Sequence, residues 1–230
     1  MIMNFTTFAP LASGVAWKTT YLAIVYRTFK DKMPGMPLAA LCLNFAWEIT
    51  YSVIYPPASS VILNIINAVW MVLDVLIVIG TLLYGSKDFQ QRFGINHNIF
   101  YMIFAMGIIA SFGIMLSGPS FFDSMTIFHH DSFEVAKFIA LVQNLVMSIL
   151  FVSQFYSRKK VSNPIAGQSF IIAFFKWVGT PMTVGLLQTM SDPTGFIGVI
   201  VGLTFVCDTW YMIVIYQEIK SQKLSPLKRI

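Results

Sequence analysis

Charged side chains are scarce in this sequence and make up 11% of its 230 residues. A soluble domain carries roughly 25% charged residues. Here 57% of the residues are hydrophobic and the mean hydropathy is +0.72. Most of the chain therefore needs apolar surroundings, such as a lipid bilayer supplies. The composition excludes an ordinary water-soluble enzyme and predicts an all-α, polytopic membrane protein.

Cysteines and metal-ligand patterns are also few. Cys42 and Cys207 both lie in apolar runs, which argues against a disulfide framework or a thiolate metal site. No His, Cys or carboxylate set shows a ligand spacing, and no aspartate-rich run could hold Mg²⁺ around a diphosphate. We therefore expect no metal and no cofactor. No charged residue precedes Lys18, so a cleaved signal peptide is not expected.

Long apolar runs are abundant. A membrane-spanning helix needs roughly 18 to 25 such residues, and on that basis the sequence predicts seven spans joined by short loops. The resulting architecture is a single seven-helix transmembrane domain covering residues 1–230. The predicted spans are 9–29, 36–56, 60–84, 98–118, 132–156, 166–190 and 194–217.

The basic residues predict how this bundle is oriented. Twelve of the fifteen Lys and Arg residues fall in the first, third and fifth loops and the C-terminal tail, which share one side if there are seven spans. Because cytosolic loops are enriched in Lys and Arg, the N-terminus is predicted to be outside or lumenal and the C-terminus cytosolic. Contact with anionic lipid is a second use for these residues, and no nucleic-acid partner is expected.

Three acidic residues, Glu48, Asp74 and Asp208, lie inside predicted spans. Placing such a residue at mid-membrane costs about 2.5 to 3.5 kcal/mol on insertion scales, so each is a candidate for function. At a rise of about 1.5 Å per residue, all three can share one level of the bilayer. The alternative is that they are hydrogen-bonding links between helices. In particular, Asp74 is predicted to form an ion pair with Lys176.

Polar and aromatic residues follow these acids at helical spacing. Asn44, Glu48 and Tyr51 share one face of the second predicted helix. We predict orienting roles around the acids for Asn44, Tyr51, Asp74, Lys176 and Tyr211. Aromatic rings inside the spans can stabilise a carbocation as they do an ammonium group, although packing is the alternative. The candidates for this role are Trp47, Trp70, Trp177 and Trp210.

Short motifs surround the first acid in a fixed order. The central run is Leu43-Asn44-Phe45-Ala46-Trp47-Glu48-Ile49-Thr50-Tyr51. With its neighbours it resembles the motifs of the small integral-membrane terpene cyclases of fungal meroterpenoid and indole-diterpene pathways and of their bacterial relatives. The resemblance covers nearly the whole chain. The other runs are Asp31–Pro37, Ile54–Pro57, Trp70–Asp74, Gly167–Ser169, Lys176–Thr180 and Cys207–Tyr211.

This resemblance implies that Glu48 and Asp208 are the two acids associated with activity. It implies that a farnesyl or geranylgeranyl chain on an aromatic, indole or polyketide head group is cyclised after protonation of an epoxide or terminal alkene. The partners would be that hydrophobic substrate, the bilayer and a prenyltransferase or epoxidase of the same pathway. The membrane would be a bacterial inner membrane or a fungal endoplasmic reticulum.

The acids also suit this chemistry by themselves. Burial disfavours the charged form of a carboxyl group, so Glu48 is expected to stay protonated and to act as a general acid. Asp208, if adjacent, would share that proton or hold Glu48 in orientation. The main alternative is a proton-coupled transporter, since carboxyl groups in membranes also form proton relays. A retinal protein is excluded because the seventh span has no lysine for a Schiff base.

Overall fold

The computed structural model describes residues 4–56, 61–123, 125, 128, 132–227 and 229. Every regular element in those ranges is helical, as the composition predicted. The helices are α1 (Phe5–Asp31), α2 (Leu38–Ile49), α3 (Val61–Phe93), α4 (His97–Asp123), α5 (Ser132–Lys159), α6 (Phe170–Gly179), α7 (Gly185–Met190) and α8 (Phe196–Ser221). A π-helical turn at Thr50–Ile54 extends α2, and another at Thr180–Val184 joins α6 to α7, so the described residues form seven helical rods.

Five of these rods are long and apolar enough to cross a membrane. Each of the seven predicted spans overlaps one rod. Two rods of the described chain are nevertheless not among the five that are long and apolar enough to cross a membrane. One is α1, and the other is the shorter apolar rod Leu38–Ile54. The five are Ala68–Phe93, His97–Phe122, Glu134–Lys159, Phe170–Met190 and Phe196–Ser221.

The third rod extends further than the sequence predicted. Residues after 84 were assigned to a loop, yet α3 continues to Phe93. Its charged last turns are stabilised by ion pairs inside the bundle. Asp88 accepts hydrogen bonds of 3.0 Å from Arg158 Nε, Arg158 Nη2 and Arg92 Nη1. Asp88 and Arg158 are both buried, so charge compensation lets the helix continue where the composition suggested that it would stop.

The first and fifth loops interlock beside this ion pair. Gly167 has a φ of 74°, and a Cβ there would lie 2.7 Å from the Pro34 carbonyl oxygen, so only glycine fits. Gln168 Nε2 donates to the Gly35 carbonyl at 2.6 Å, and Arg158 Nη2 donates to the Pro34 carbonyl at 2.9 Å. Two of the motifs noted in the sequence thus fix the start of α6 against the connection between α1 and α2.

α1 packs closely along the rod that contains α6 and α7. The π-helical turn in that rod begins at Thr180, directly before Pro181, which has no N–H to donate. Side chains of α1 supply polar contacts at this break. Ser13 Oγ donates to the Gly179 carbonyl at 2.5 Å, and Trp17 Nε1 donates to Thr180 Oγ1 at 3.1 Å.

We expect Gly179→Ala to destabilise the protein by about 1 to 3 kcal/mol, the usual cost of overpacking. A Cβ at Gly179 would lie 2.8 Å from Trp17 Nε1 and 2.9 Å from Trp17 Cδ1, and this buried indole has little room to move. Gly113→Ala in α4 is the matched control because a Cβ there meets nothing within 4 Å. The free energy of unfolding of both variants would be measured in an SDS titration. Equal stability of the two would contradict the expected clash.

Candidate functional site

Two of the predicted acids, Glu48 and Asp74, lie together in the bundle. Glu48 is in the last turn of α2 and is 2% exposed, while Asp74 is in α3 and is fully buried. The two carboxyl groups are close enough to interact electrostatically. Because α2 packs directly against α3, the helix faces predicted for these acids do meet.

Asn44 connects the cluster. Its Nδ2 donates to Asp74 Oδ2 and to Tyr21 Oη, both at 2.6 Å. Its Oδ1 accepts a hydrogen bond of 2.9 Å from Gln143 Nε2 on α5. The Tyr21 hydroxyl also lies beside the Glu48 carboxyl group. Four helices, α1, α2, α3 and α5, therefore contribute to a single network around the two acids.

One oxygen of each acid in this network is buried without a hydrogen-bond partner. These atoms are Glu48 Oε2 and Asp74 Oδ1. No protein group engages these two oxygens, so they are open to a water molecule or to a substrate. A protonated carboxyl that is held on one oxygen can present the other to a substrate. The network thus has the form of a positioned proton donor.

Tyr21 and Gln143 were missed by the sequence reasoning, which followed acidic residues and their neighbours on the same helix. Both are polar groups within apolar runs, and that was the available signal. Tyr21 takes the orienting position predicted for Tyr51. The Tyr51 ring instead lies 5.1 Å from the Trp47 ring, and its hydroxyl is buried without a partner.

The predicted ion pair between Asp74 and Lys176 is wrong. Lys176 forms its ion pair with Asp208, and both side chains are 1% exposed. Lys176 Nζ also donates to Ser148 Oγ at 2.5 Å. The two residues face each other because α6 packs on α8. Because Lys176 pairs with Asp208, this lysine does not neutralise the Glu48–Asp74 cluster.

Asp208 therefore belongs to a second network, distinct from that of Glu48. One of its oxygens, Oδ2, is buried without a partner. Tyr211, one turn further along α8, donates its hydroxyl to Gln168 Oε1, and its ring lies 5.1 Å from that of Phe151. Tyr211 thus connects α8 to the fifth loop.

The four predicted tryptophans separate into two groups. Trp47 lies one residue before Glu48 and donates to the Ala136 carbonyl at 3.3 Å, and Trp70 packs on the core one turn before Asp74. Trp177 instead bonds Thr209 Oγ1 at 3.0 Å between α6 and α8. Trp210 is 50% exposed at the bundle surface and donates to Tyr156 Oη at 3.1 Å. Of these four, only Trp47 and Trp70 lie close in sequence to an acid of the Glu48–Asp74 cluster.

A family profile decides the relationship that the motifs suggested. The profile of the Pyr4-like transmembrane terpene cyclases matches residues 2–222. The chain belongs to this family. Membership of a transmembrane family, together with the five long apolar helices, makes it an integral membrane protein.

The curated relatives of this Pyr4-like chain are fungal proteins named as terpene cyclases or synthases. The Pyr4-family terpene cyclase mfmH of Annulohypoxylon moriforme is 26% identical over 74% of the chain and 64% of its own length. The terpene cyclase pyr4 of Aspergillus fumigatus is 35% identical over 39% of the chain and 37% of its own length. Asnovolin H synthase nvfL of Aspergillus novofumigatus is 27% identical over 73% of the chain.

The match thus spans less than two thirds of the length of these relatives. No solved structure matches the chain. The names of the relatives do not favour the transporter alternative.

Proposed function

We propose that this Pyr4-like protein is a membrane-bound terpene cyclase, an intramolecular isomerase or lyase that protonates its substrate and directs the cyclisation of the resulting carbocation. The observation that carries the proposal is the Glu48 carboxyl, which is buried beside Asp74 and Tyr21 and has no protein partner at Oε2. General acid catalysis needs such a positioned proton within reach of the reacting atom. The fungal relatives with terpene cyclase names support it.

In this mechanism Glu48 transfers its proton to an epoxide oxygen or terminal alkene carbon of a farnesyl or geranylgeranyl chain. The chain is carried on an aromatic, indole or polyketide head group. The carbocation then forms rings, and loss of a proton ends the reaction, so product and substrate have the same mass. Initiation by protonation requires no departing diphosphate and therefore no metal to neutralise one.

Asp74 is proposed to share a proton with Glu48. Two neighbouring carboxyl groups in a medium of low dielectric repel if both are ionised, so the pair retains a proton. Asn44 keeps the two acids in position through Tyr21 and Asp74. We assign Asp208, with Lys176, to the wall formed by α6 and α8. Its unpartnered Oδ2 keeps it a candidate for a direct part in the reaction.

The aromatic groups proposed to face the cation are Trp47 and Trp70. Both are partly buried near the acids, where a π face can stabilise positive charge without adding a nucleophile that would trap it. Trp177 is a weaker candidate because it lies between α6 and α8. Trp210 is not included, because its ring is at the bundle surface.

We further propose that all seven rods cross the bilayer as one domain, with the N-terminus outside or lumenal and the C-terminus cytosolic. The support is the concentration of Lys and Arg on one side. A bacterial inner membrane or a fungal endoplasmic reticulum would suit a lipid-soluble prenylated substrate. A prenyltransferase or epoxidase would supply that substrate.

The proposal predicts an isomerisation that mass spectrometry can detect. Membranes from a host without terpenoid pathways, expressing the chain, would be supplied with farnesyl and geranylgeranyl aromatic compounds, with and without terminal epoxides. We expect at least one compound to give a product of unchanged mass and new retention time. Membranes of the same host without the chain are the control.

A transport assay with the same compounds distinguishes a cyclase from a proton-coupled transporter. In proteoliposomes containing a pH-sensitive dye, substrate-dependent proton movement without chemical conversion would contradict the cyclase proposal and support a transporter. Conversion without sustained proton movement would agree with an isomerase, because the proton taken from the acid is returned at the end of each reaction.

A further inference from the structure

A second polar site lies at the C-terminal end of α1, away from the acids. It is a pocket of about 260 Å³ lined by Arg27, Lys30, Asp31, Leu224, Ser225 and Arg229. Since a water molecule occupies about 30 Å³ of liquid, the pocket has space for a small hydrated ion or a polar head group. None of these residues contributes to the network around Glu48.

Positive charge exceeds negative charge in this pocket. Its lining contains three basic side chains and one acid, Asp31. One oxygen of this acid is already engaged by the protein. Asp31 Oδ2 accepts from Arg27, from the Gly167 backbone N–H at 2.8 Å and from Arg229 Nη2 at 3.2 Å. Among the described residues that line the pocket, basic side chains thus outnumber acidic ones by two.

Arg229 is held rigidly at the pocket. Its Nη2 also donates to the Ile165 carbonyl at 2.6 Å, while its Nε is buried without a hydrogen-bond partner. Burial of the guanidinium, and secondarily the charge of Arg27, lower the pKa of Arg229, an effect that Asp31 only partly offsets. A guanidinium that the protein holds through Nη2 is a suitable group for binding an anionic oxygen through its remaining donors.

Lys30 completes the basic side of the pocket. Its ammonium group donates to Tyr26 Oη at 2.6 Å and lies 4.8 Å from the centre of the Tyr26 ring. It remains exposed, so two of its three donor hydrogens can reach a ligand. Guanidinium and ammonium groups together around a pocket of this size match the charge and the hydrogen-bonding capacity of a phosphate.

We propose that this pocket binds a phosphate group, carried by a phospholipid head group or by a soluble phosphate ester. The pocket lies at the end of α1 next to the interlocked first and fifth loops, on the side rich in Lys and Arg, where an anionic lipid head can approach from the membrane surface. A bound phosphate would neutralise the excess charge and fix the C-terminal segment on α1. The inference does not depend on the cyclase activity.

Binding can be tested directly with two phosphate sources. The delipidated protein in neutral detergent would be titrated with dioleoylphosphatidic acid, and bound lipid counted by native mass spectrometry, with dioleoylphosphatidylcholine for comparison. In a separate arm, thermal unfolding would be compared in inorganic phosphate and in chloride at equal ionic strength. Retention of phosphatidic acid alone would identify a lipid head group, and stabilisation by inorganic phosphate would identify a soluble phosphate ester.

Variants locate the binding at the pocket. We expect Arg229→Gln and Lys30→Gln each to weaken binding of the effective probe by about tenfold, as the loss of a charge-assisted hydrogen bond does. Lys220→Gln is the control because it removes one charge from an exposed position near the end of α8. Arg229→Lys, which keeps the charge, would recover part of the binding. Equal weakening by Lys220→Gln, or binding of neither probe by the wild type, would overturn the proposal.

Discussion

Replacement of Glu48 by Gln is expected to lower the rate of product formation by about 10² to 10⁴-fold, the usual contribution of a general acid. Glutamine preserves the shape of the side chain, but it has no acidic proton to transfer. The loss should therefore appear in the chemical step rather than in the amount of protein. Isomeric product measured by mass spectrometry, per amount of protein in the membrane, is the appropriate readout.

The matched control for this change is Glu134→Gln. Glu134 is in the first turn of α5, is exposed and forms an ion pair with Lys137, so the same substitution there removes a surface charge. Its activity should stay within about twofold of the wild type because exposed ion pairs contribute little. Wild-type rates in Glu48→Gln, at normal protein level and melting temperature, would refute Glu48 as the proton donor.

The largest expected effect on stability comes from Lys176→Met, at about 3 to 5 kcal/mol. Methionine fills a similar volume, but the substitution leaves the Asp208 carboxyl buried without its cation. Most of this loss should be recovered in the double variant Lys176→Met, Asp208→Leu. An apolar pair in place of a buried ion pair is often neutral or stabilising. The free energy of unfolding of the wild type, the single variant and the double variant would be measured in an SDS titration.

Lys18→Met is the control for the loss of a lysine. Lys18 lies in α1 and is exposed, so its replacement should change the free energy of unfolding by no more than about 0.5 kcal/mol. If Lys176→Met were equally mild, the buried ion pair would have no structural role. If the double variant were as unstable as the single one, the stabilisation would come from the shape of the lysine and its contact with Ser148.

The helices and the buried acids were predictable because both leave local signals. Long apolar runs marked the rods, and the helical spacing of Asn44 and Glu48 identified a face that does point inward. Polar residues in apolar runs can be recognised as functional candidates because inserting them into a membrane costs free energy. The family relationship also depended on motifs that can be read along the chain.

The pairing of side chains between helices was not predictable in the same way. Helical spacing shows which face of a helix is polar but not which other helix meets that face. Lys176 was therefore paired with Asp74 instead of Asp208. The contribution of Tyr21 to the acid network was missed for the same reason, because the sequence does not show which helices lie next to α1 near the acids.

Arg158 shows a second limit of sequence reasoning. Its position in a cluster of three basic residues indicated a cytosolic loop and an exposed charge. The side chain is instead fully buried, with bonds to Asp88 and to the Pro34 and Ala166 carbonyls. Topology rules count charges in a loop, but they do not distinguish a solvated arginine from one that holds two loops together.

The brevity of the rod Leu38–Ile54 has a consequence for the supply of protons. Its 17 residues span about 26 Å at 1.5 Å per residue, against about 30 Å for the hydrocarbon layer. In the proposed topology this rod crosses the bilayer, and local thinning of the bilayer would accommodate the hydrophobic mismatch. Glu48 lies six residues from the end of this rod, about 9 Å along its axis. An acid placed beside a thinned leaflet can be recharged from nearby bulk water between turnovers, while the rest of the bundle stays in lipid.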